Sequence, residues 1–265
     1  MVGLVLGVAV SLGAAGQEQD EERTGFDHSA FAEVLDRYVE GSWVDYTGLK
    51  RDPGHLAAYL RDLAQADVDE LDRKEKIALY INAYNAFTLK LITEYYPKID
   101  SIKDIPDHIF RYKRWKDKRW DIGGETYSLS QIEHGVLRER FEEPLAHFAL
   151  NCASIGCPDL WPEPYRGKDL EKQLEAAARA YNAADKGVRL DRADRTIYLS
   201  RIYDWYAGDF KKEADSVLQY VARYMPEEAA RYIRRNEDRL RVRYLDYDWR
   251  LNDVKNNPDR ESEGE

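Results

Sequence analysis

Cysteine and histidine are scarce in this chain: two and five residues among 265. Two cysteines can form one bridge at most, which excludes a small disulfide-stapled scaffold. Basic charge is also in deficit. Forty Lys and Arg against fifty Asp and Glu leave a formal net charge of -10, which argues against a general nucleic-acid binder, because neutralising phosphates needs clustered cations. Beyond the first sixteen residues no apolar run is long enough to cross a bilayer. No repeat and no low-complexity linker interrupts 28–252, so that stretch reads as one domain. The one locally basic strip, 111–120, interleaves Lys and Arg with Tyr112, Trp115 and Trp120. In an acidic chain it reads as a solvated surface segment.

What the chain does have is aromatic mass and a distinctive N-terminus. With 19 Tyr and 6 Trp, core and cleft walls are expected to be aromatic. Residues 1–16 are small and apolar, and 17–23 turn abruptly polar. That is the length of a signal-peptide core and too short for a membrane span. Ala14-Ala15-Gly16 supplies small residues at the cleavage position, although no Lys or Arg precedes the apolar run. The expected organisation is a signal peptide over 1–16, a flexible linker over 17–27, the domain over 28–252 and a disordered tail over 253–265. The protein is then periplasmic or secreted, and not membrane-spanning after processing.

Helical spacing predicts helices over 31–44 and 55–63 and a dominant one over 73–95, apolar on most of its circumference and therefore central. Gly123-Gly124 reads as a hairpin turn. Ser130 and Glu133 have capping-box spacing, opening a helix through Arg140. A strand is expected over 147–152, a helix over 170–182 and a hairpin around Arg192-Ala193-Asp194. Helices over 210–224 and 227–236 and a strand over 241–249, with a phase slip at Tyr244-Leu245, complete the chain. The fold class is α+β: one helix-rich domain with a small antiparallel sheet.

The chemistry concentrates in 147–158, which carries His147, Asn151, Cys152 and Cys157. A cysteine acts as a nucleophile when ionised, so it needs a base nearby. His28, His55 and His108 lie in polar, loop-like contexts and are discounted. In a strand, His147 and Cys152 face opposite sides, which favours His134 as the base with Cys152 as the nucleophile; Cys157 is the alternative nucleophile. An orienting group is then required, and Glu133, Asn82, Asn85 and Asn151 are the candidates. Glu133 has a competing duty in the capping box. Asn82 and Asn85, three apart on the central helix, either orient the site or tie the helix to a neighbouring loop. Amides of the 154–157 loop could form an oxyanion site. Two rival uses remain open: a structural Cys152–Cys157 disulfide, and a zinc site of two Cys and two His. The latter has no His-x3-His partner downstream, and no metal or cofactor is expected.

Five ordered blocks resemble the DUF547 family: Ile81-Asn82-Ala83-Tyr84-Asn85-Ala86, 128–138, 147–158, 203–210 and 247–252. The family's bacterial members are commonly exported, which the resemblance extends to this chain. A fainter likeness links the asparagine-bearing helix and His-led strand to papain-like and transglutaminase-like enzymes. Their nucleophilic cysteine opens the helix, whereas no Cys lies in 73–95 here. The expected function is a thiol-dependent acyl-transfer enzyme, a cysteine peptidase or amidase, with a peptide or a small thiol-containing ligand as partner. The alternative is a non-catalytic peptide- or glycan-binding module held by a structural disulfide.

Overall fold

The computed structural model describes residues 25–106, 113–117 and 119–262. The expected signal peptide, most of the linker, His108 and the end of the tail lie outside them.

The chain enters through α1 (Ser29–Tyr38), a short hairpin of β1 (Val39–Glu40) and β2 (Trp43–Val44), then α2 (Tyr46–Arg51) and α3 (Gly54–Ala64). The helix expected over 31–44 therefore stops at Tyr38, where the backbone turns extended at Val39 and reverses at Gly41, whose φ is +60°.

The central helix α4 (Arg73–Tyr95) has the expected bounds. Asp72 caps it by accepting the Glu75 N–H. Every residue from Ile77 to Leu89 is buried, so this is a helix packed on all sides rather than an amphipathic surface one. Each Leu or Ile it inserts contributes roughly 1.5–3 kcal/mol, and the Phe87 ring stacks on Trp120 at 5.1 Å.

After α5 (Lys113–Lys116), β3 (Trp120–Ile122) and β4 (Glu125–Tyr127) form the expected hairpin, with Ile122 opposite Glu125. Gly123 and Gly124 sit at φ +57° and +80°, the left-handed pair that a two-residue primed turn demands.

The capped helix takes a different form. Its body, Gln131–Arg140, is a π-helix, a wide coil that is rare at this length and frequent at functional sites. Ser130 has helical backbone and makes no cap. The reciprocal pair is Ser128 and Gln131 instead: Ser128 Oγ accepts the Gln131 N–H at 3.1 Å, and Gln131 Oε1 accepts the Ser128 N–H at 3.0 Å. The box is shifted back by two residues, which frees Glu133 from capping duty.

The strand expected over 147–152 does not form. Pro144–Phe148 is a 3-10 turn that leads into an irregular loop, for Pro144 presets a helical φ and Glu143 caps the turn through the Leu145 N–H. The face-alternation argument that set His147 apart from Cys152 lapses with it.

Next come α6 (Leu170–Ala183), β5 (Val188–Asp191) and β6 (Thr196–Leu199), then α7 (Ile202–Trp205), α8 (Ala207–Glu213), α9 (Val217–Arg223), α10 (Glu227–Asn236) and β7 (Arg241–Tyr244). The single helix expected over 210–224 is thus broken between α8 and α9, where Ser216 caps α9 through the Gln219 N–H. Strand β5 pairs antiparallel with β6, while β7 pairs parallel with it, so this sheet is mixed. β7 ends at the phase slip, and 245–251 runs on as a loop with isolated bridges at Arg250 and Leu251. The tail does not begin at Asp253: Asp253 and Val254 are buried, and Asp253 bridges Val44.

The whole is α+β and helix-rich, with three small sheets among the described residues. Its apolar interior falls into two clusters, one built around α4 and the other around α6, β6 and α8–α10. The 144–158 segment lies between them: Ala146, Ala149, Leu150 and Ala153 pack into the first, and Phe148 into the second. Among the described residues no helix is long and apolar enough to cross a membrane.

The displaced capping box is testable. Ser128→Ala should cost about 1 kcal/mol of stability, whereas Ser130→Ala should stay within about 0.5 kcal/mol, both read from urea unfolding. The reverse ranking would restore the cap to Ser130.

Candidate active site

The 144–158 segment is held by a side-chain amide reaching out of α4. Asn85 Nδ2 donates to the Ala149 carbonyl at 2.9 Å, and its Oδ1 accepts the Asn151 N–H at 2.9 Å. Asn151 then fixes the next turn, its Nδ2 donating to the Pro158 carbonyl and its Oδ1 accepting the Ala153 N–H. Under this hold Ala153 adopts φ +64°, a left-handed conformation that costs a non-glycine residue about 1 kcal/mol or more. Asn85 and Asn151 are buried and shape the loop that carries Cys152 from behind. Asn82 serves another place: it holds Tyr165 through backbone bonds of 2.8 and 2.9 Å and approaches the His28 ring at 3.3 Å. For both helix asparagines the contacts are those of a polar network tying α4 to neighbouring segments.

A second strap closes over the cysteines. The Ile155 and Gly156 N–H groups donate to the Arg250 and Asp248 carbonyls, and the Cys157 N–H donates to the Ser154 carbonyl. These three amides are engaged and cannot contribute to the expected oxyanion site. A Cβ on Gly156 would lie 3.0 Å from the Asp248 nitrogen and 3.1 Å from the Tyr247 ring. Glycine therefore permits the close approach that lays Tyr247 over the sulfurs.

Cys152 and Cys157 are joined as a disulfide. Their environments differ. Cys157 is 3% exposed, and its sulfur accepts the Cys152 N–H at 2.9 Å and the Tyr247 hydroxyl at 3.0 Å. Cys152 is half-buried, with its sulfur 3.5 Å from the Tyr247 hydroxyl and 3.6 Å from Ser154 Oγ. Burial holds the Tyr247 phenol well above its ordinary pKa, so it stays a neutral donor.

Both cysteines line a cleft of about 560 Å³, within the usual range for small-ligand sites. His134, His147, Glu133 and Tyr206 line it too, and Trp115, Trp205 and Trp249 bring further indoles to it. Trp205 is 47% exposed, with its ring 5.0 Å from Tyr247 and 5.7 Å from Trp249.

The two imidazoles are held differently. Nε2 of His147 lies 2.8 Å from Asp209 Oδ2. A carboxylate accepts, so Nε2 carries the proton and Nδ1 keeps its lone pair. Burial pushes the His147 pKa down. Bonding to His147 and Arg138 holds the Asp209 carboxyl well below the usual range. The His147 ring is further fixed by stacking on Tyr206 at 3.9 Å.

His134 meets a cation instead: its Nδ1 is 2.8 Å from Arg138 Nη1. A guanidinium only donates, so Nδ1 is the acceptor and Nε2 bears the proton. Arg138 in turn grips Asp209, at 2.6 and 3.1 Å.

Glu133 does not orient His134. Its carboxylate accepts from the Tyr206 hydroxyl and, at 3.4 Å, from the Tyr84 hydroxyl, since consecutive helical residues point apart. Sequence reasoning missed Asp209, Arg138, Tyr206 and Tyr247. All four lay within blocks already singled out, but nothing in their spacing marked them. Among the described residues no group of three or more His, Cys, Asp or Glu is placed to hold a metal ion.

Fold and site together define a helix-rich α+β protein with a cysteine pair and a carboxylate-paired imidazole in one aromatic cleft. Residues 68–181 match the model of a family described as "Protein of unknown function, DUF547". The match takes in three of the five blocks; Asp209 and Tyr247 lie beyond it. No curated protein and no solved structure matches the chain, and the papain-like likeness gains no support.

His28 lies in a loop as expected, at the N-cap of α1, but not in a polar setting. It is fully buried, its Nδ1 2.7 Å from the Tyr59 hydroxyl, and burial, aided by Arg166, drives its pKa down to about 3. The folded state then stays unprotonated while the unfolded chain takes a proton below about pH 6.5. This contribution is complete above that pH and declines as pH falls towards 3, by up to about 1.4 kcal/mol per unit. Urea unfolding between about pH 7 and pH 5 should show wild type losing about 2 kcal/mol more than His28→Gln. Equal losses would mean that His28 accepts its proton without unfolding.

Proposed function

We propose that this protein is an exported thiol-dependent acyl-transfer enzyme, a cysteine peptidase or amidase acting on a peptide. Cys152 is the nucleophile once the Cys152–Cys157 bond is reduced. The observation that carries this reading is the His147–Asp209 pair, 2.8 Å apart, opening on the cleft that Cys152 lines. The carboxylate fixes one tautomer and leaves Nδ1 as a base, the arrangement that orients an imidazole in acyl-transfer triads. This reading assigns the base to His147 in place of His134, and the orienting role to Asp209 in place of Glu133.

In the reaction, His147 Nδ1 takes the Cys152 thiol proton and the sulfur bonds to the acyl carbon. The carbon–nitrogen bond then breaks, and His147 returns the proton to the departing amine. Water hydrolyses the thioester by the same base. The His134 Nε2–H is a donor in the same cleft for the developing oxyanion. Glu133, held by two tyrosines, is available to a substrate ammonium or amide. Export agrees with a disulfide-bonded pair and with the apolar residues 1–16, and the compartment proposed is the periplasm or the exterior.

A second reading rests on the bonded state of the cysteines. In it the disulfide is a permanent staple, and the indole-rich cleft recognises peptide or glycan without turnover.

The two are separated with a non-thiol reductant. After treatment with a phosphine, hydrolysis of peptide p-nitroanilides should appear and should vanish in Cys152→Ser. Asp209→Asn should lower kcat by about 10²-fold or more. Activity that survives in Cys152→Ser would end the acyl-transfer proposal. Peptide binding to the oxidised protein, with no turnover in either state, would establish the second reading.

A further inference from the structure

The two sulfurs are unequal as partners in exchange, and this asymmetry stands whether or not the cleft hydrolyses anything. Cys157 Sγ accepts two hydrogen bonds, from the Cys152 N–H at 2.9 Å and the Tyr247 hydroxyl at 3.0 Å. Donors aimed at a sulfur stabilise it most when it is anionic. Cys152 is the less buried of the two, and among the described residues its sulfur has the more distant contacts, with Tyr247 and Ser154. In thiol–disulfide exchange the attacked sulfur must be reachable, and the departing one leaves faster when its thiolate is stabilised.

We infer that the cleft is a thiol–disulfide exchange site with a fixed polarity: a small thiol enters, attacks Cys152 Sγ and expels Cys157 as thiolate. The incoming R–S⁻ forms a new bond to Cys152 Sγ. The Cys152–Cys157 bond breaks, and its electron pair goes to Cys157 Sγ, where the Cys152 amide and Tyr247 receive it. No net oxidation or reduction occurs in this step; the product is one mixed disulfide and one thiolate. A second thiol molecule attacking the mixed disulfide at the sulfur of the bound thiol releases Cys152 and leaves as the oxidised, dimeric disulfide.

The cleft can house the ligand class required. Its volume, about 560 Å³, suits a free thiol amino acid or a short thiol peptide. Tyr247 belongs to the 247–252 strap, so one segment both covers the sulfurs and supplies the donor. Burial holds its phenol above the ordinary tyrosine range, so the donor is present where a free thiol begins to ionise.

The test uses oxidised, native full-length protein with free cysteine as the probe thiol. Samples are quenched with N-ethylmaleimide and mapped by peptide mass spectrometry. The expected early product carries cysteine on Cys152 and maleimide on Cys157. Tyr247→Phe should open about tenfold more slowly, as loss of one hydrogen bond to a charged sulfur implies. Cysteine found on Cys157, or a native bond that resists while the urea-unfolded protein opens, would overturn the inference. An unchanged rate in a folded Tyr247→Phe protein would overturn the leaving-group assignment. If that variant fails to fold, as circular dichroism would show, the wild-type adduct map decides alone. Because the hydrolysis assay uses a phosphine, exchange without hydrolysis would remove only the acyl-transfer reading, and hydrolysis without exchange only this one.

Discussion

The site depends on one buried amide. Asn85 projects from the most enclosed part of α4 and bonds both the Ala149 carbonyl and the Asn151 N–H. An asparagine is a poor helix former and costly to bury alone. Here it satisfies two backbone groups of an irregular loop running between two apolar clusters, where no strand or helix would satisfy them. Asn151, positioned by that bond, passes the constraint on to Ala153 and Pro158. The left-handed Ala153 beside Cys152 persists because its neighbours on both sides are fixed in this way. Rigid support from behind leaves the cleft side of the loop to chemistry.

A second constraint comes from the π-helix. Because its cap is the Ser128–Gln131 pair, Glu133 faces the tyrosines rather than the helix end. Its wide coil also presents His134 and Arg138 together, and Arg138 reaches Asp209. Asp209 is thereby shared between a cation and His147. This sharing matters electrostatically. A carboxylate in contact with a guanidinium stays ionised, and an ionised Asp209 is the form that keeps the proton on His147 Nε2 and the lone pair on Nδ1. One anion thus sets the tautomers of two histidines, directly for His147 and through Arg138 for His134.

The sequence makes the scaffold legible more readily than the site, for reasons of range. The bounds of α4 follow from a continuous apolar pattern and from Pro97, both local signals. The Gly123-Gly124 turn needs only two residues. The 147–152 stretch misleads because a short apolar run is compatible with strand or with buried turn; tertiary packing of Ala146, Phe148 and Ala149 into two different clusters decides it. The capping box is missed by two residues because Ser128-x-x-Gln131 and Ser130-x-x-Glu133 satisfy the same pattern. Asp209 and Tyr247 have no local signature at all. They meet His147 and Cys157 across 62 and 90 residues of chain, and only folding reveals such pairs.

The same long-range closure explains why the two cysteines differ although only four residues separate them. Considered locally, Cys152 and Cys157 are equivalent ends of a small loop. The strap that zips 154–156 to 248–251 breaks the equivalence by laying one hydroxyl over them, nearer to Cys157 than to Cys152. Gly156 makes this possible, since any larger residue would press on Tyr247 and the Asp248 amide. A staple needs no such distinction, because a purely structural bond is indifferent to which sulfur carries the better hydrogen bonds. The unequal solvation of the pair, at the floor of an open aromatic cleft, is what a bond that opens in one direction requires.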